Sequence, residues 1–341
     1  MSADTVMVSI GIDQIKALGG KRMLLPEITN SSELAILSDL AKVTTSMNES
    51  EIWGIDYCRE VDMTNKKPHF KSEPSHLALP VIEGRMVHAF TSKAKEYIRG
   101  EGRSANWSAN FDSNRNYSEL VQFHMPKDEI QEEAQSRIGK QRIGIRDIVG
   151  QTNERTMMAV QIPAGVCCGN KVPTILLPYF ENNETLNLEA QKVWICIANS
   201  FVFDWISRKF VTTSMNKFII EILRMPDKIV PGSKEWDELV QLYDKLETEE
   251  FMSLKWGKIR AEIDAIVARS CQLNITKMGQ ILDSFPLIDK MEHPIHDEKH
   301  STVTKDSVLS KMGSKRSKKR CEEAFQIGAI PYRPAGLISE Q

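Results

Sequence analysis

The sequence predicts an α+β fold on three observations: short strand-like runs in the middle of the chain, an apolar helix directly behind them, and helical spacing that recurs toward the C-terminus. Ile143 and Ile145, then Met158, Val160 and Ile162, then the run Val172 to Leu177 predict three short strands in an antiparallel meander. Gly150, Pro163 to Gly165, and Gly169 supply the turns between them. Asn187 to Phe210 is apolar at Val193, Ile197, Phe201, Trp205 and neighbouring positions, which predicts a helix buried on most of its circumference, with the strands packed around it. Ser233 stands where a capping hydroxyl would start the next helix, whose Trp236, Leu239, Val240, Tyr243 and Leu246 share one face. Ile259, Ile263, Ile266 and Val267, then Met278, Ile281 and Leu282, extend a helical section from 233 to 284, and after Pro286 the pattern fades.

A length of 341 residues with 41% hydrophobic and 26% charged side chains is enough for a buried core in one or two packed domains. The 44 Lys+Arg and 46 Asp+Glu nearly cancel, which excludes a globally basic nucleic-acid binder, so any electrostatic argument is local. Composition shifts mark an N-terminal section 1–83 (8 basic, 12 acidic), a middle section 84–226 (18 and 15), a helical section 227–300 (10 and 15) and a basic tail 301–341 (8 and 4). Six of the ten residues from Lys311 to Arg320 are basic, and the tail is expected to be partly disordered. The most apolar stretch, Val193 to Ile206, is interrupted by Asn199 and Asp204, so no membrane span is expected and the chain reads as cytoplasmic. The six cysteines form no Cys-x-x-Cys pair and lie mostly in apolar surroundings, as reduced buried thiols do.

The chain has no phosphate-binding Gly-x-x-x-x-Gly-Lys-Ser/Thr loop, no Gly-x-Ser-x-Gly elbow and no His-Glu-x-x-His helix. Gly100-Glu101-Gly102 is followed by Arg103, Ser104 and Asn106 rather than an apolar helix face, and reads as a loop rather than a cofactor turn. His293, His296 and His300 have spacings that a metal could use, but Pro294 interrupts any helix there and no cysteine is near. Asp227 and the Asp297-Glu298-Lys299 triplet are too far apart in sequence for an ordinary nuclease pair. No catalytic residue, metal site or cofactor site is expected in this chain.

Several phrases, in order, give the sequence a family likeness. They are Val61-Asp62-Met63-Thr64-Asn65 followed by Phe70, then Leu79-Pro80-Val81-Ile82-Glu83-Gly84-Arg85-Met86-Val87-His88, then Arg146-Asp147-Ile148 with Thr152-Asn153-Glu154-Arg155-Thr156. Gly169-Asn170-Lys171-Val172-Pro173, Asn199-Ser200-Phe201-Val202-Phe203-Asp204, and Thr212 to Asn216 with Phe218-Ile219 follow. Arg260-Ala261-Glu262-Ile263-Asp264-Ala265 and Ile281-Leu282-Asp283-Ser284-Phe285-Pro286 close the series. Together they resemble the C-terminal, target-recognition half of adenine-specific DNA methyltransferases of type II restriction-modification and related phage-defence systems. That family holds the flipped adenine with an Asn/Asp/Ser-Pro-Pro-Tyr/Phe motif and binds S-adenosylmethionine at a Gly-rich turn, both N-terminal to these phrases. The present chain has 14 prolines and no two adjacent. Asn153 stands where the family phrase usually has Asp, and Thr212-Thr213-Ser214 replaces a glycine-bearing loop.

The resemblance implies sequence-specific recognition of double-stranded DNA, with methyl transfer and S-adenosylmethionine on a partner catalytic subunit or half; the alternative is an inactive remnant or protein-interaction module of a defence system. It puts the segment from Arg146 to Arg224 in the recognition part, and the residue types there suit DNA independently. Arg and Lys bind phosphate or guanine, Asn reads adenine, and Ser and Thr serve either edge. The candidates are Arg146, Asn153, Arg155, Lys171, Arg208, Lys209, Thr212, Thr213, Ser214, Asn216 and Lys217. Asn153 and Arg155 have a structural alternative in which they staple the turn, for example through an Arg155 to Asp147 pair, and Arg208 and Lys209 have one as cations at a helix C-terminus. Arg85, Lys93, Lys95, Arg99 and Arg103, with Tyr97 and Trp107 interleaved, form a second basic cluster.

Overall fold

The computed structural model describes residues 8–338, except for the side chains of Arg103 and Ile338. The fold is α+β, with antiparallel sheets and a helical C-terminal section. The central sheet has four strands in the order Asp56–Cys58, Thr174–Leu176, Arg142–Ile145, Ala159–Ile162, every neighbour antiparallel. The three predicted strands are present, but they are not a meander. Thr174–Leu176 crosses back to pair with Arg142–Ile145, and at the outer strand the Asn199 carboxamide accepts from the Ala159 N–H at 3.0 Å and donates to its C=O at 2.8 Å. Deep in this sheet, Arg142 and Glu60 form a fully buried bidentate pair. Glu60 also accepts from the Cys168 N–H and the Thr174 hydroxyl, and Arg142 donates to the carbonyls of Lys140, Pro163 and Val166, so neither charge is left unsatisfied.

The predicted long helix is two helices, Glu184–Ala198 and Phe201–Arg208. The apolar period runs through the break, which hides it in the sequence. Asn199 turns its side chain onto the sheet, and Ser200 caps the second helix by accepting from the Phe203 N–H. Asp264, from the helix Leu254–Ser270, accepts from the Phe201 N–H at 2.6 Å and so satisfies another free donor of that first turn. Helices Lys234–Thr248, Leu254–Ser270 and Ile275–Asp283 follow as expected, capped by Ser233, Ser253 and Asn274.

The tail corrects the expectation of partial disorder. Val303–Lys311 and Lys315–Gln326 are helices packed against each other, and the first also packs against Leu254–Ser270. Their buried face is built from residues too small or polar to announce it: Ser317, Cys321 and Ala324 lie inward while Lys315, Arg316, Lys318 and Lys319 are exposed. Arg320 clamps the pair, donating to both oxygens of Glu298 at 2.7 and 2.8 Å and to Asp306 at 2.8 Å. Among the described residues no helix is long and apolar enough to cross a membrane. All six cysteines are free and buried, and burial pushes the Cys271 thiol up to about 12, so they are packing residues rather than nucleophiles.

One hydrophobic core runs from Leu18 to Tyr332 and draws on all four compositional sections. Thr44–Ser46 pairs antiparallel with Arg224–Pro226, which ties the first section to the end of the second. A three-stranded sheet, His124–Pro126, Ala78–Ile82, Cys167–Cys168, contains the one parallel pairing between the named strands, and the hairpin Lys95–Arg99 with Asn106–Ala109 projects beside it.

Asp204 joins the turn between the strands Arg142–Ile145 and Ala159–Ile162 to the second core helix. Fully buried, it accepts from Arg155 Nε, from the Thr156 N–H at 3.1 Å and from Arg208 Nε at 3.2 Å. Asp204→Ala leaves two buried guanidinium groups without their counterion and is expected to lower stability by about 3–5 kcal/mol. Urea unfolding followed by circular dichroism measures it, and a loss below about 1 kcal/mol would show that Asp204 is not the hub of this region.

Candidate nucleic-acid interface

The eleven predicted residues divide into three groups, with Arg146 standing apart. Arg155, Arg208 and Lys209 are buried and engaged, which corrects their assignment as DNA contacts. Arg155 donates to Asp204 and, through Nη2, to the Asn199 carbonyl, while its guanidinium covers the Phe201 ring. It does not pair with Asp147. Arg208 donates to Asp204 and to the carbonyls of Asn153 and Glu154 at 2.7 and 2.9 Å, and lies over Phe285. Lys209 pairs with Glu33 at 2.8 Å and lies over Trp205. These cations staple turns and helix ends.

The second group comes together on one surface. After the strand Arg142–Ile145 the chain continues beside the loop that contains Thr212, Thr213 and Ser214. Ile148 bridges Ser214, the Val149 N–H donates to the Thr213 carbonyl, and the Met215 N–H donates to the Asp147 carbonyl. On the other side the Asp147 N–H donates to the Lys171 carbonyl. Asp147 itself is buried and holds Arg59 in a two-pronged contact at 3.1 and 3.3 Å, with Lys171 at 3.6 Å. Thr212, Thr213, Lys171 and Ile148 are exposed and Ser214 is half-buried. Arg59 was missed by sequence reasoning because nothing in its neighbourhood pointed to the 146–149 segment.

Asn153, Asn216 and Lys217 form the third group. Asn153 is exposed at the tip of the turn that Arg208 stabilises. Asn216 precedes the helix Lys217–Ile222 without a side-chain capping bond, and Lys217 is exposed, 3.8 Å from Glu221.

Arg146 is different from all of these. It is half-buried, and among the described residues it has no ion pair and makes only long contacts, to the Val87 carbonyl at 3.4 Å and the Met158 sulfur at 3.9 Å. Burial lowers its pKa, with no carboxylate to offset it. It lines three adjoining cavities: about 350 Å³ with Arg85, Lys95 and Trp107; about 280 Å³ with Met63, Glu83 and Lys171; and about 420 Å³ with His88, Glu154 and Arg155. Arg146 is common to the lining of all three.

The second basic cluster lines the first of these cavities. Arg85 donates to the Ala105 carbonyl at 3.1 Å and lies over Trp107, which meets Tyr97 edge-on. Lys93 instead turns to the carbonyls of Ser113 and Arg115 and to the Tyr117 ring, and Arg99 is exposed on the hairpin. The side chain of Arg103 lies outside the described residues. Gly100-Glu101-Gly102 is the turn of this hairpin, with both glycines at positive φ, and is no cofactor cradle.

The C-terminal segment lines the third. Arg260, fully buried, is enclosed by the rings of Phe90, Trp256 and Tyr332 at 5.2, 4.9 and 4.3 Å, and burial pushes its pKa down to about 10. Tyr332 donates its hydroxyl to Asp264, and Gly257 lets Pro331 seat on the helix, where a Cβ would stand 2.6 Å from the Pro331 carbonyl oxygen. Pro334 to Leu337 then run along the 420 Å³ cavity, and the Ala335 N–H donates to Glu154 at 3.1 Å. Sequence reasoning missed this segment, which lies beyond every phrase that carried the resemblance.

Among the described residues no group of His, Cys, Asp and Glu is arranged to hold a metal. His296 faces Glu323, Glu298 is held by Arg320, and Asp227 accepts from Thr45.

Burial raises the Glu154 carboxyl to about 7 from an ordinary 4.5. Between those two values the folded chain holds a proton that the unfolded chain has released, so this contribution to stability falls as pH rises through the window. Unfolding at about pH 5.5 and about pH 7.5 should therefore show Glu154→Gln losing less stability on the upward step than the unsubstituted protein, by on the order of 1 kcal/mol. An equal loss in both proteins would place the Glu154 carboxyl in the ordinary range.

No family model matches the chain, and no curated protein matches it.

Proposed function

We propose that this chain is the sequence-specific DNA-recognition part of a split or truncated adenine-specific DNA methyltransferase of a restriction-modification or phage-defence system. Methyl transfer, with its S-adenosylmethionine, belongs to a partner catalytic polypeptide, since the chain has no adjacent prolines and hence no Pro-Pro adenine clamp.

The observation that carries this reading is the Ile148–Ser214 bridge, which joins the 146–149 and 212–214 segments into one polar surface flanked by Lys171. Exposed hydroxyls, a lysine and an isoleucine are side chains that can meet base edges, phosphates and thymine methyls respectively. Asn153 and Lys217, also exposed, extend the set of candidate contacts.

Selection from a randomised duplex pool at two salt concentrations tests it. Enrichment of one short motif is expected, with Thr213→Ala or Ser214→Ala relaxing one position of the motif by about 1–3 kcal/mol. Lys171→Ala is expected to weaken all sequences alike and reduce the salt slope by about 1. A chain that neither enriches a motif nor associates with a methyltransferase subunit overturns the proposal.

A further inference from the structure

The 420 Å³ cavity shares Arg146 and Asn153 with the candidate DNA contacts but differs from the exposed 148–214 surface in its lining, which combines cations, one carboxyl and apolar side chains. Its size lies toward the lower end of the roughly 300–1,000 Å³ usual for small-molecule sites. Lys95, Arg146 and Lys290 line it as cations, Glu154 as a carboxyl, and Met158, Leu287 and Leu337 as an apolar surface. Among the described residues Arg146 has no anionic partner. Two further wall residues carry buried polar atoms without a hydrogen-bond partner, Arg155 Nη1 and His88 Nδ1. A cationic end, an apolar wall and one carboxyl suit a ligand with an anionic end, a flat apolar body and an amino edge.

We propose that this cavity binds a nucleoside monophosphate moiety, with the phosphate against Arg146 and the base between the apolar wall and Glu154. The moiety is either a free mononucleotide or a nucleotide extruded from a DNA strand. The Pro334 to Leu337 segment forms one side of the site. The inference does not depend on duplex recognition by the exposed surface.

Two arms of one experiment separate the sources. The full chain is titrated calorimetrically with dAMP, dGMP, dCMP and TMP, with inorganic phosphate as control, and separately with a duplex carrying an unpaired 2-aminopurine whose fluorescence reports extrusion. Gly336→Trp places an indole at the cavity wall from a position where a Cβ meets nothing within 4 Å, and Arg146→Ala removes the anion anchor. Binding of a mononucleotide, weakened at least about tenfold by each variant, establishes a free ligand. A fluorescence change without mononucleotide binding, abolished by Gly336→Trp, establishes the extruded nucleotide. Binding in neither arm, binding indifferent to both variants, or inorganic phosphate binding as tightly as the nucleotides overturns the proposal. Gly336→Trp is expected to keep its melting temperature and its duplex selection. Nucleotide binding by a chain that selects no duplex motif would end the recognition reading and leave this one standing.

Discussion

Asp204 is the point on which the arrangement of the molecule's middle turns. A single buried carboxylate receives two arginines and a backbone N–H, and those three donors belong to two different parts of the fold: the turn after Arg146 and the helix Phe201–Arg208. Bringing a carboxylate out of water costs several kcal/mol, and only this set of charge-assisted bonds offsets it. The turn therefore has no freedom to drift from the helix. Asn199, one turn earlier, repeats the logic with a neutral side chain, closing the sheet edge at Ala159 and accepting Arg155 at its carbonyl.

That economy of pairing gives Arg146 its meaning. Arg142, Arg155 and Arg208 all have a carboxylate in direct contact, and Arg320 has two. Arg260 has none, but three aromatic faces surround it. Arg146 has neither among the described residues, although it sits half-buried where three cavities meet. That difference is the observation on which the proposed anion anchor rests.

Much of the fold was legible in the sequence because it rests on local signals. Ser233 capped its helix, the period of Ile259 to Val267 gave a buried helical face, and the three middle strands lie where alternation placed them. Strand order was not legible, since the pairing of Thr174–Leu176 with Arg142–Ile145 is non-local, and neither was the ordered tail, whose inward face is Ser317, Cys321 and Ala324. For the candidate site, residue type alone could not separate Arg155 from Arg146. Both are arginines in the same polar stretch, and the difference is whether an aspartate 49 residues onward folds back to meet them. Thr213 and Lys171 are exposed, in keeping with their polarity, and Lys171 lies 3.6 Å from Asp147.

The pairing of Thr44–Ser46 with Arg224–Pro226 bears on how the chain acquires its structure during synthesis. Some 180 residues separate the partners, as the contacts from Arg224 to Thr44 record. Leu37, Leu40, Met47 and Trp53 all join the core that those strands help to close. Until Arg224 has left the ribosome, these apolar side chains have no finished surface to pack against, so the N-terminal quarter of the chain emerges as a segment that depends on residues not yet made.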